Sequence, residues 1–465
     1  MNQAVMKKIA ALIAVAVFGV TFAIYSLSMV VARTDTIWSL YVAESIVQTG
    51  NADLDEYVHL KYPYDYRIEI ANGHRFSIFP VGAPLMAAPL VGLLEFFPIA
   101  AGGRLSDYLA SHQPDEVVFQ IEKTIASFLA ALSCVFMYAT ARQRLPIAKS
   151  LLFAGIFAFA SANWSIASRA LWQHGPTILC LSIALYLLSS ARQNPARAAL
   201  AGLPLAYSFI VRPTNAISIA VVAAYILVSY RRFFGGYVLC VAIVLVPLVA
   251  FNYASMGALI TPLYGRHTLG ITPSYPPALA GNLFSPARGL FVFSPIFAVS
   301  VFGLFRALRR SSARLHDLNL YAAAIVLIHW LAISAFAHWW GGWTVGPRYM
   351  SDVVPYLAFM ILPALDSPGF AGQKVVARQA GRLAFAILAA ISIFAHFRSA
   401  TDLRTSEWNA IPVDVDRDPR RLWDWSDLQF LRGLCPAGSM EAPRCWLAPA
   451  PRAGEEPAGG VRREG

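Results

Sequence analysis

Long apolar runs recur along this chain from residue 9 to residue 398. Most have the length of about 17–25 residues that a helix needs to cross a hydrocarbon core of about 30 Å. Lipid offers no hydrogen-bond partner to a backbone amide, so such runs must fold as helices. The composition agrees, because a soluble chain with 57% hydrophobic and 14% charged residues could not bury that much apolar surface. The sequence therefore predicts an all-α, polytopic membrane protein.

We place about eleven transmembrane helices along the chain, with boundaries that are good to a few residues. The predicted spans are 9–31, 117–140, 147–163, 174–190, 198–211, 214–230, 234–253, 289–305, 318–337, 351–366 and 382–398. The first run follows Lys7 and Lys8 and could be read as a signal peptide. It is too long for the apolar region of one, and ten more spans come after it.

Arginine and lysine are concentrated in alternate loops, on the same side as Lys7 and Lys8. By the positive-inside rule these loops are cytoplasmic, which puts the N-terminus in the cytoplasm and the C-terminus outside. The net charge of +11 mostly reflects this topology and is weak evidence for nucleic-acid binding. The basic loops contain Arg142, Arg144, Lys149, Arg192, Arg197, Arg231, Arg232, Arg306, Arg309, Arg310, Arg314, Lys374, Arg378 and Arg382.

The segments 32–116, 254–288 and 399–465 on the predicted outer side are too long to be simple connectors. We divide the chain into three parts: a transmembrane domain at 1–398 with its first outside loop at 32–116, a small extracytoplasmic segment at 399–446, and a disordered tail at 447–465. Cys435 and Cys445 lie on the outer side, where a disulfide could persist, and no histidine spacing indicates a zinc site.

The predicted spans carry few ionisable groups. Glu122 and Lys123 lie at an outer edge, and His329 lies in the ninth span. A proton-coupled or ion-coupled transporter places such groups near the midplane of the membrane. Their scarcity argues against transport and favours chemistry at the outer membrane surface.

Asp35 stands just beyond the first span, before a helical pattern that contains Tyr41 and Glu44. A carboxylate fixed at the membrane surface by such a helix is well placed to deprotonate a hydroxyl group. A helix cap is the alternative for Asp35, and residue type alone favours it. Glu44 and Tyr41 are candidates for supporting Asp35 or for the acceptor side of a site, and Glu44 could equally lie on a solvated helix face.

Further along, His74 and Arg75 precede an apolar segment that is broken by Pro80, Pro84 and Pro89. Three prolines disfavour a straight span, so we expect a re-entrant or interfacial helix here.

The stretch HWWGGWTVGPRYMSD at 338–352 crowds Trp339, Trp340, Trp343 and Arg348 into a gap between two spans. Most of the eleven tryptophans map to the predicted outer side, whereas an ordinary aromatic belt populates both interfaces. Stacking against a sugar or lipid is one explanation for the three tryptophans, and anchoring and loop packing is the other.

Several motifs, taken together with their order along the chain, resemble those of the GT-C superfamily of membrane glycosyltransferases. Within that superfamily, the resemblance is to the bacterial protein O-mannosyltransferase and lipid A aminoarabinose transferase types. The motifs are the acidic residue and helix after the first span (Asp35, Tyr41, Ala43 and Glu44), FPVGAP at 79–84, LWQHGP at 171–176, NLFSPARG at 282–289, and WWGGW through GPRY within 339–349. The resemblance covers most of residues 9–400.

The resemblance implies a GT-C-like fold and transfer of a sugar, with inversion, from a polyprenyl-phosphate donor to a hydroxyl acceptor. The acceptor would be a glycan, lipid or protein on the outer side of the bacterial cytoplasmic membrane. It also implies that Asp35 is the base. Many relatives carry Asp-Glu at this point, whereas this chain has Asp35-Thr36. We therefore name no metal ligand, and a divalent cation stays open as a cofactor.

Displacing a sugar from a lipid phosphate also needs cations for the departing phosphate, and the planar fork of arginine matches phosphate oxygens. Arg348 is the strongest candidate for a phosphate ligand. Arg288, Arg75 and His174 are further candidates, with surface solvation or an interfacial hydrogen bond as the alternative for each. A flippase or transporter of a lipid-linked glycan stays open as the alternative function.

Overall fold

The computed structural model describes residues 3–32, 35–60, 65–99, 103–261, 274–366 and 375–434. Within these ranges the chain is mostly helical, as the sequence predicts. The α-helices are α1 (Gln3–Leu27), α2 (Ser39–Gln48), α3 (Gly82–Leu94), α4 (Leu105–Ser111), α5 (Glu116–Arg142), α6 (Ile147–Phe159), α7 (His174–Ser190), α8 (Ala196–Leu200), α9 (Gly202–Val211), α10 (Ala216–Ser229), α11 (Phe234–Met256), α12 (Tyr275–Phe284), α13 (Leu290–Phe293), α14 (Ala298–Arg310), α15 (Leu318–Ser334), α16 (Val354–Leu365), α17 (Val375–Thr401) and α18 (Arg404–Glu407).

A short β-hairpin follows α2, which the all-helical prediction did not include. Strands β1 (Ile68–Ala71) and β2 (His74–Ser77) pair antiparallel. Asn72 and Gly73 form the turn, and both have positive φ, at 52° and 86°. Asn-Gly is the dipeptide that adopts this geometry most readily, because the twist of the turn then matches the twist of the strands.

Each of the eleven predicted spans overlaps at least one helix, but the predicted number of spans is not confirmed. In the described part of the chain, four helices are long and apolar enough to cross a membrane: Lys8–Leu27, Glu116–Arg142, Arg231–Met256 and Gln379–Thr401. Other apolar helices have only 10–17 residues, and at about 1.5 Å per residue these are shorter than the hydrocarbon core. Several long apolar helices nevertheless indicate a multi-pass membrane protein.

Breaks within the apolar runs explain the shorter helices. The predicted span 289–305 is divided between α13 and α14, with a turn at Pro295–Phe297 that proline initiates. A proline has no amide hydrogen and fixes its own φ, so it starts a helix more readily than it continues one. The predicted interfacial segment forms α3, with Pro89 inside it; its position relative to the membrane stays a prediction.

Helix α5 connects the two large apolar clusters of the molecule. One cluster packs α5 against α6, α7 and α16, and the other packs it against α2, α3 and the start of α4. A smaller cluster joins the segment after α17 to the connection between α15 and α16, through Trp408, Trp339 and Trp340. The domain boundaries at 398 and 446 stay predictions, and residues 435–465, including Cys435 and Cys445, lie outside the described residues.

Candidate active site

A cavity of about 450 Å³ lies between six segments that are far apart in sequence. They are the turn before α2, the residues on either side of the β-hairpin, the start of α7, the residues that follow α9, the connection between α15 and α16, and the segment after α18. The cavity therefore forms only when the helical bundle is assembled. Its polar lining consists of Asp35, Tyr66, Gln173, His174, Arg212, Thr214, His338, Trp343, Arg348 and Asp416.

Asp35 and Arg348 form an ion pair at this cavity, although 312 residues separate them along the chain. The pair is partly accessible, with 22% of the Asp35 side chain and 13% of the Arg348 side chain exposed. Arg348 Nη1 also donates to the carbonyl of Gly341 at 3.3 Å. Its guanidinium lies over the ring of Trp172, 4.5 Å from the centroid. The structure thus brings the predicted base and the predicted phosphate ligand into direct contact.

His174 connects this ion pair to a buried polar network. Arg348 Nε donates to His174 Nε2 at 3.1 Å, and Arg212 Nη1 lies 3.1 Å from the other ring nitrogen, Nδ1. On that side Ser351 Oγ lies 2.8 Å from Nδ1. The first turn of α7 places the ring here, since His174 is the first residue of that helix. His174 is therefore oriented by Arg348 on one side and by Ser351 on the other.

A second ion pair lies behind His174 and is almost completely buried. Arg212 Nη1 donates to Asp352 Oδ1 at 2.8 Å, with 4% and 1% of the two side chains exposed. Arg212 also lies over the ring of Tyr349 at 5.4 Å, and Thr214 contacts the other carboxylate oxygen at 3.5 Å. Because Asp352 balances Arg212 and Asp35 balances Arg348, the site has no excess cation of its own.

An apolar groove lies close to the charged cavity. A small cavity beside Asp35 and Arg348 shares Phe79 and Gln173 with the large one. It also shares Val81 and Phe251 with a groove of about 410 Å³. The groove lies between α3, α9 and α11, and its lining includes Leu85, Tyr207, Ile210, Ile243, Val244, Pro247 and Leu248.

Tyr41 and Glu44 do not line the cavity. The Tyr41 hydroxyl donates to the carbonyl of His112 at 2.7 Å, and the ring is fully buried. Glu44 is also buried and accepts from Gln48 Nε2 at 2.8 Å. Burial, with a further contribution from the nearby Glu95 carboxyl, raises the pKa of Glu44 to about 7. The structure therefore places both residues in the packing of α2 rather than beside Asp35.

Arg288 and Arg75 also lie outside the cavity lining. Arg288 is 1% exposed, and its guanidinium donates to Gln429, Asn409 and the carbonyls of Ala287, Trp340 and Gly342. All of its donor groups are used within the protein, which leaves none for a ligand.

Arg75 lies half-buried on β2, where its backbone amide donates to Asp55 Oδ1 at 2.9 Å. The side chains that sequence reasoning grouped as phosphate ligands are therefore separated by the fold, and Arg348 and His174 are the two at the cavity.

The three tryptophans of the 338–352 stretch have different environments. Trp343 lines the cavity, is 44% exposed, and donates from Nε1 to Asp414 Oδ1 at 3.2 Å. Trp339 and Trp340 are buried, and Trp340 Nε1 donates to Asp416 Oδ1 at 2.7 Å. Trp343 can therefore contact a ligand, whereas the other two hold the C-terminal segment in place.

Several residues at the cavity received little or no weight in the sequence. Arg212 lies between two predicted spans on the predicted outer side, Trp172 and Gln173 lie within LWQHGP, and Asp352 ends HWWGGWTVGPRYMSD. The fact that both motifs lie on the predicted outer side was the available signal. Tyr66 and Asp416 carry no sequence signal, because ordinary polar residues are common in loops.

The described residues bring three metal-ligand side chains together at Asp53, Asp55 and His74. His74 Nδ1 lies 2.6 Å from Asp55 Oδ2, and this hydrogen bond raises the pKa of His74. The internal pairing accounts for the group, which lies outside the cavity lining.

No family model matches the chain, and no curated protein matches it. Among solved structures, it is similar to the crystal structure of the Archaeoglobus fulgidus oligosaccharyltransferase in the apo form, with a TM-score of 0.44 and 12% sequence identity. The match covers 89% of this chain and 59% of the archaeal chain, so this chain spans little more than half of that protein. A likeness of this degree carries no weight for function, which has to be argued from the residues of this chain.

Proposed function

We propose that this protein is a membrane glycosyltransferase that moves a sugar from a polyprenyl-phosphate donor to a hydroxyl acceptor, with inversion. One observation carries the proposal: Asp35 and Arg348 meet in a cavity, and an apolar groove lies next to it across a small cavity that shares lining residues with both. A lipid-linked phosphate sugar has an apolar tail, an anionic junction and a polar sugar in that order. The groove, the guanidinium and the cavity follow the same order.

The donor phosphate would bind at Arg348. Its guanidinium is partly exposed and can offer two N–H groups to phosphate oxygens. Arg212 is already paired with Asp352, so its contribution to phosphate binding would be electrostatic rather than a direct hydrogen bond. The sugar would then extend toward Trp343, whose exposed ring suits stacking against a sugar face. Acceptor and sugar identity are left open by this arrangement.

Donor binding would also release the base. In the structure, the Arg348 guanidinium donates to one oxygen of the Asp35 carboxylate. Phosphate oxygens compete for the same N–H groups, so a bound donor leaves Asp35 free to accept a hydroxyl proton from the acceptor. The acceptor oxygen then bonds to the anomeric carbon as the bond from that carbon to the phosphate oxygen breaks. The proton moves to Asp35, and the polyprenyl phosphate leaves with the electron pair, stabilised by Arg348.

The side chains around Asp35 do not fit a divalent cation. Within the described ranges, no group of three ligand atoms includes Asp35, and the group that does form lies at Asp53, Asp55 and His74. The carboxylate of Asp352 is taken by Arg212. The proposed reaction therefore uses Asp35 and Arg348 with no step through a metal.

Replacing Asp35 tests the proposal. Cells that lack the gene would be complemented with the wild type, with Asp35→Asn or with Asp418→Asn, and their surface-glycan composition compared. Asp418 is a control, since its ion pair with Arg420 is exposed. Loss of a general base costs about 10²–10⁴ in rate, so Asp35→Asn should leave the glycan as in the deletion while Asp418→Asn restores it. Full restoration by a normally abundant Asp35→Asn variant would remove Asp35 from the mechanism.

Reconstitution separates this proposal from a flippase. The purified protein would be placed in vesicles with cell-derived lipid-linked sugar and no acceptor. A flippase would move the lipid across the bilayer, whereas the proposed enzyme leaves it on its own side.

A further inference from the structure

A second polar cavity, of about 250 Å³, lies at the other end of the helical bundle. His174 at the first cavity begins α7, and Arg192 at the second follows the end of the same helix. Seventeen residues of helix separate the two positions by about 26 Å. In the same way, α16 begins beside Asp352 and ends before Asp366. The second cavity is therefore separate from the proposed donor site.

Three arginines line this cavity from three different elements. Arg144 follows α5, Arg192 follows α7 and Arg310 is the last residue of α14. Within the described part of the chain, none of the three guanidinium groups has a hydrogen bond or an ion pair. Arg144 is half-buried against the ring of Phe359, at 5.4 Å from the centroid. Burial, with a further contribution from the nearby Arg192 guanidinium, lowers the pKa of Arg144.

The other lining groups limit the charge of a ligand. Asp317 and Asp366 also face the cavity, and neither lies within ion-pair distance of the three arginines. Three guanidinium groups against two carboxylates leave one net positive charge. The Oδ1 atom of Asn319 is buried at this cavity and has no hydrogen-bond partner. The lining thus suits a singly charged anion that also carries a hydrogen-bond donor.

We infer that this cavity binds the phosphate of a phosphodiester, with its three arginines as ligands. A phosphodiester carries the single negative charge that the lining lacks, and arginine is the side chain best matched to its oxygens. Its hydroxyl or ammonium substituent would meet Asp317, Asp366 and Asn319. Basic pockets between transmembrane helices bind lipid headgroups by this chemistry. The inference is independent of the glycosyltransferase proposal, because no residue is shared between the two cavities.

The first experiment uses the full-length protein in a maltoside detergent, which carries no phosphate. Phosphatidylglycerol and inorganic phosphate would be titrated separately, and lipid retention followed by native mass spectrometry. The variants are Arg192→Ala combined with Arg310→Ala, and Arg309→Ala as a matched control. Arg309 lies on the same helix end but packs over Phe305 outside the cavity. We expect binding to weaken about tenfold or more in the double variant and to stay unchanged in Arg309→Ala.

A second measurement needs no variant. Phenylglyoxal modifies accessible arginines of the wild type, and the modified sites are mapped by mass spectrometry. Bound ligand should protect Arg192 and Arg310 but leave Arg309 reactive. Protection by phosphatidylglycerol alone supports the inference with a lipid source, and protection by phosphate as well supports it with either source. Equal reactivity of all three arginines with and without both probes would overturn it, as would equal weakening of binding in the double variant and the control.

Discussion

Arg348 is a single guanidinium with two competing partners, and this makes it the most informative residue to replace. It pairs with Asp35 in the structure and would bind phosphate in the proposed reaction. Arg348→Ala should weaken binding of polyprenyl phosphate by about tenfold or more, since charged hydrogen bonds contribute about 1.5–3 kcal/mol. Arg348→Lys should retain part of the affinity because it keeps the charge and loses the fork. Binding would be measured by native mass spectrometry.

Arg75→Ala is the control for that measurement. The sequence places Arg75 among the phosphate ligands, whereas it lies outside the cavity lining in the structure. Its removal should leave polyprenyl-phosphate binding unchanged. Equal binding by the wild type and Arg348→Ala would make the 338–352 stretch purely structural.

Two ion pairs with equal N–O distances show how burial determines the contribution of an ion pair to stability. Arg212–Asp352 and Arg420–Asp418 both have N–O distances of 2.8 Å, but 4% of the Arg212 side chain is exposed against 92% for Arg420. Arg212→Ala leaves a buried carboxylate without its cation and should destabilise the protein by about 3–5 kcal/mol. Arg420→Ala should cost less than about 1 kcal/mol. Thermal unfolding in detergent measures both, and similar losses would contradict the buried network.

The sequence indicates which residues are chemically suited to a site, but it does not indicate which of them are in contact in the folded protein. Asp35 and Arg348 stand out because each is a charge on the predicted outer side next to an unusual motif. The Arg212–Asp352 pair does not stand out, since a pairing across 140 residues depends on how α9 and α16 pack. Arg288 has the same sequence character as Arg348, yet it is enclosed by carbonyls and amides. Burial distinguishes Arg288, whose donors are all used within the protein, from Arg348, the proposed phosphate ligand.

At the scale of elements, close helix packing depends on glycine. A Cβ atom at Gly303 on α14 would lie 1.9 Å from the backbone oxygen of Met360 on α16. Backbone cannot move aside, so Gly303→Ala should separate the two helices and destabilise the protein by about 1–3 kcal/mol. Gly155 on α6 has nothing within 4 Å of such an atom. Gly155→Ala should therefore be neutral or stabilising by up to about 1 kcal/mol, because alanine is the better helix former.

Unfolding midpoints of the two variants give a direct comparison. Equal stability of Gly303→Ala and Gly155→Ala would mean that α14 and α16 are not in contact at this point.

The packing of α2 makes stability depend on pH through Glu44. Its folded pKa of about 7 lies above the ordinary value of 4.5, because the carboxyl is buried beside Glu95. The folded state therefore holds the proton more tightly than the unfolded state. The resulting stabilisation is full below pH 4.5 and is lost as pH rises through 7, and it corresponds to about 3 kcal/mol.

Glu44→Gln should remove this dependence, since the amide cannot ionise. The midpoint of thermal unfolding would be measured between pH 4.5 and 8 for the wild type and the variant. We expect the difference between them to grow in favour of the variant as pH rises. A difference that stays constant over this range would show that Glu44 does not titrate within it.

Element positions follow from the sequence more closely than element lengths do. Each apolar run contains a helix because both lipid and protein interior require satisfied backbone groups. The lengths depend on interruptions such as Pro295 and on tertiary packing. The hairpin of β1 and β2 was missed, although its Asn72-Gly73 turn is a strong local signal. The prediction of an all-helical chain does not include this hairpin, because it follows the long apolar runs and not the turn signals between them.

At the scale of the whole molecule, the two ends of the bundle carry different chemistry. One end has Asp35, Arg348 and an apolar groove close to them. The other end has Arg144, Arg192 and Arg310 around a separate cavity. The positive-inside rule predicts that the second end faces the cytoplasm. An enzyme that uses a donor on the outer surface needs this orientation. The proposed function therefore depends on the predicted orientation of the protein in the membrane.

Cysteine labelling tests this orientation at both ends. Trp425 and Leu315 are 56% and 63% exposed, and they lie on the sides of Asp35 and Arg310, respectively. Trp425→Cys and Leu315→Cys would be made in a protein whose own cysteines are serine, and treated with a membrane-impermeant maleimide. In spheroplasts, Trp425→Cys should react at once and Leu315→Cys only after permeabilisation. The reverse pattern would place Asp35 in the cytoplasm, where a donor on the outer surface could not reach it.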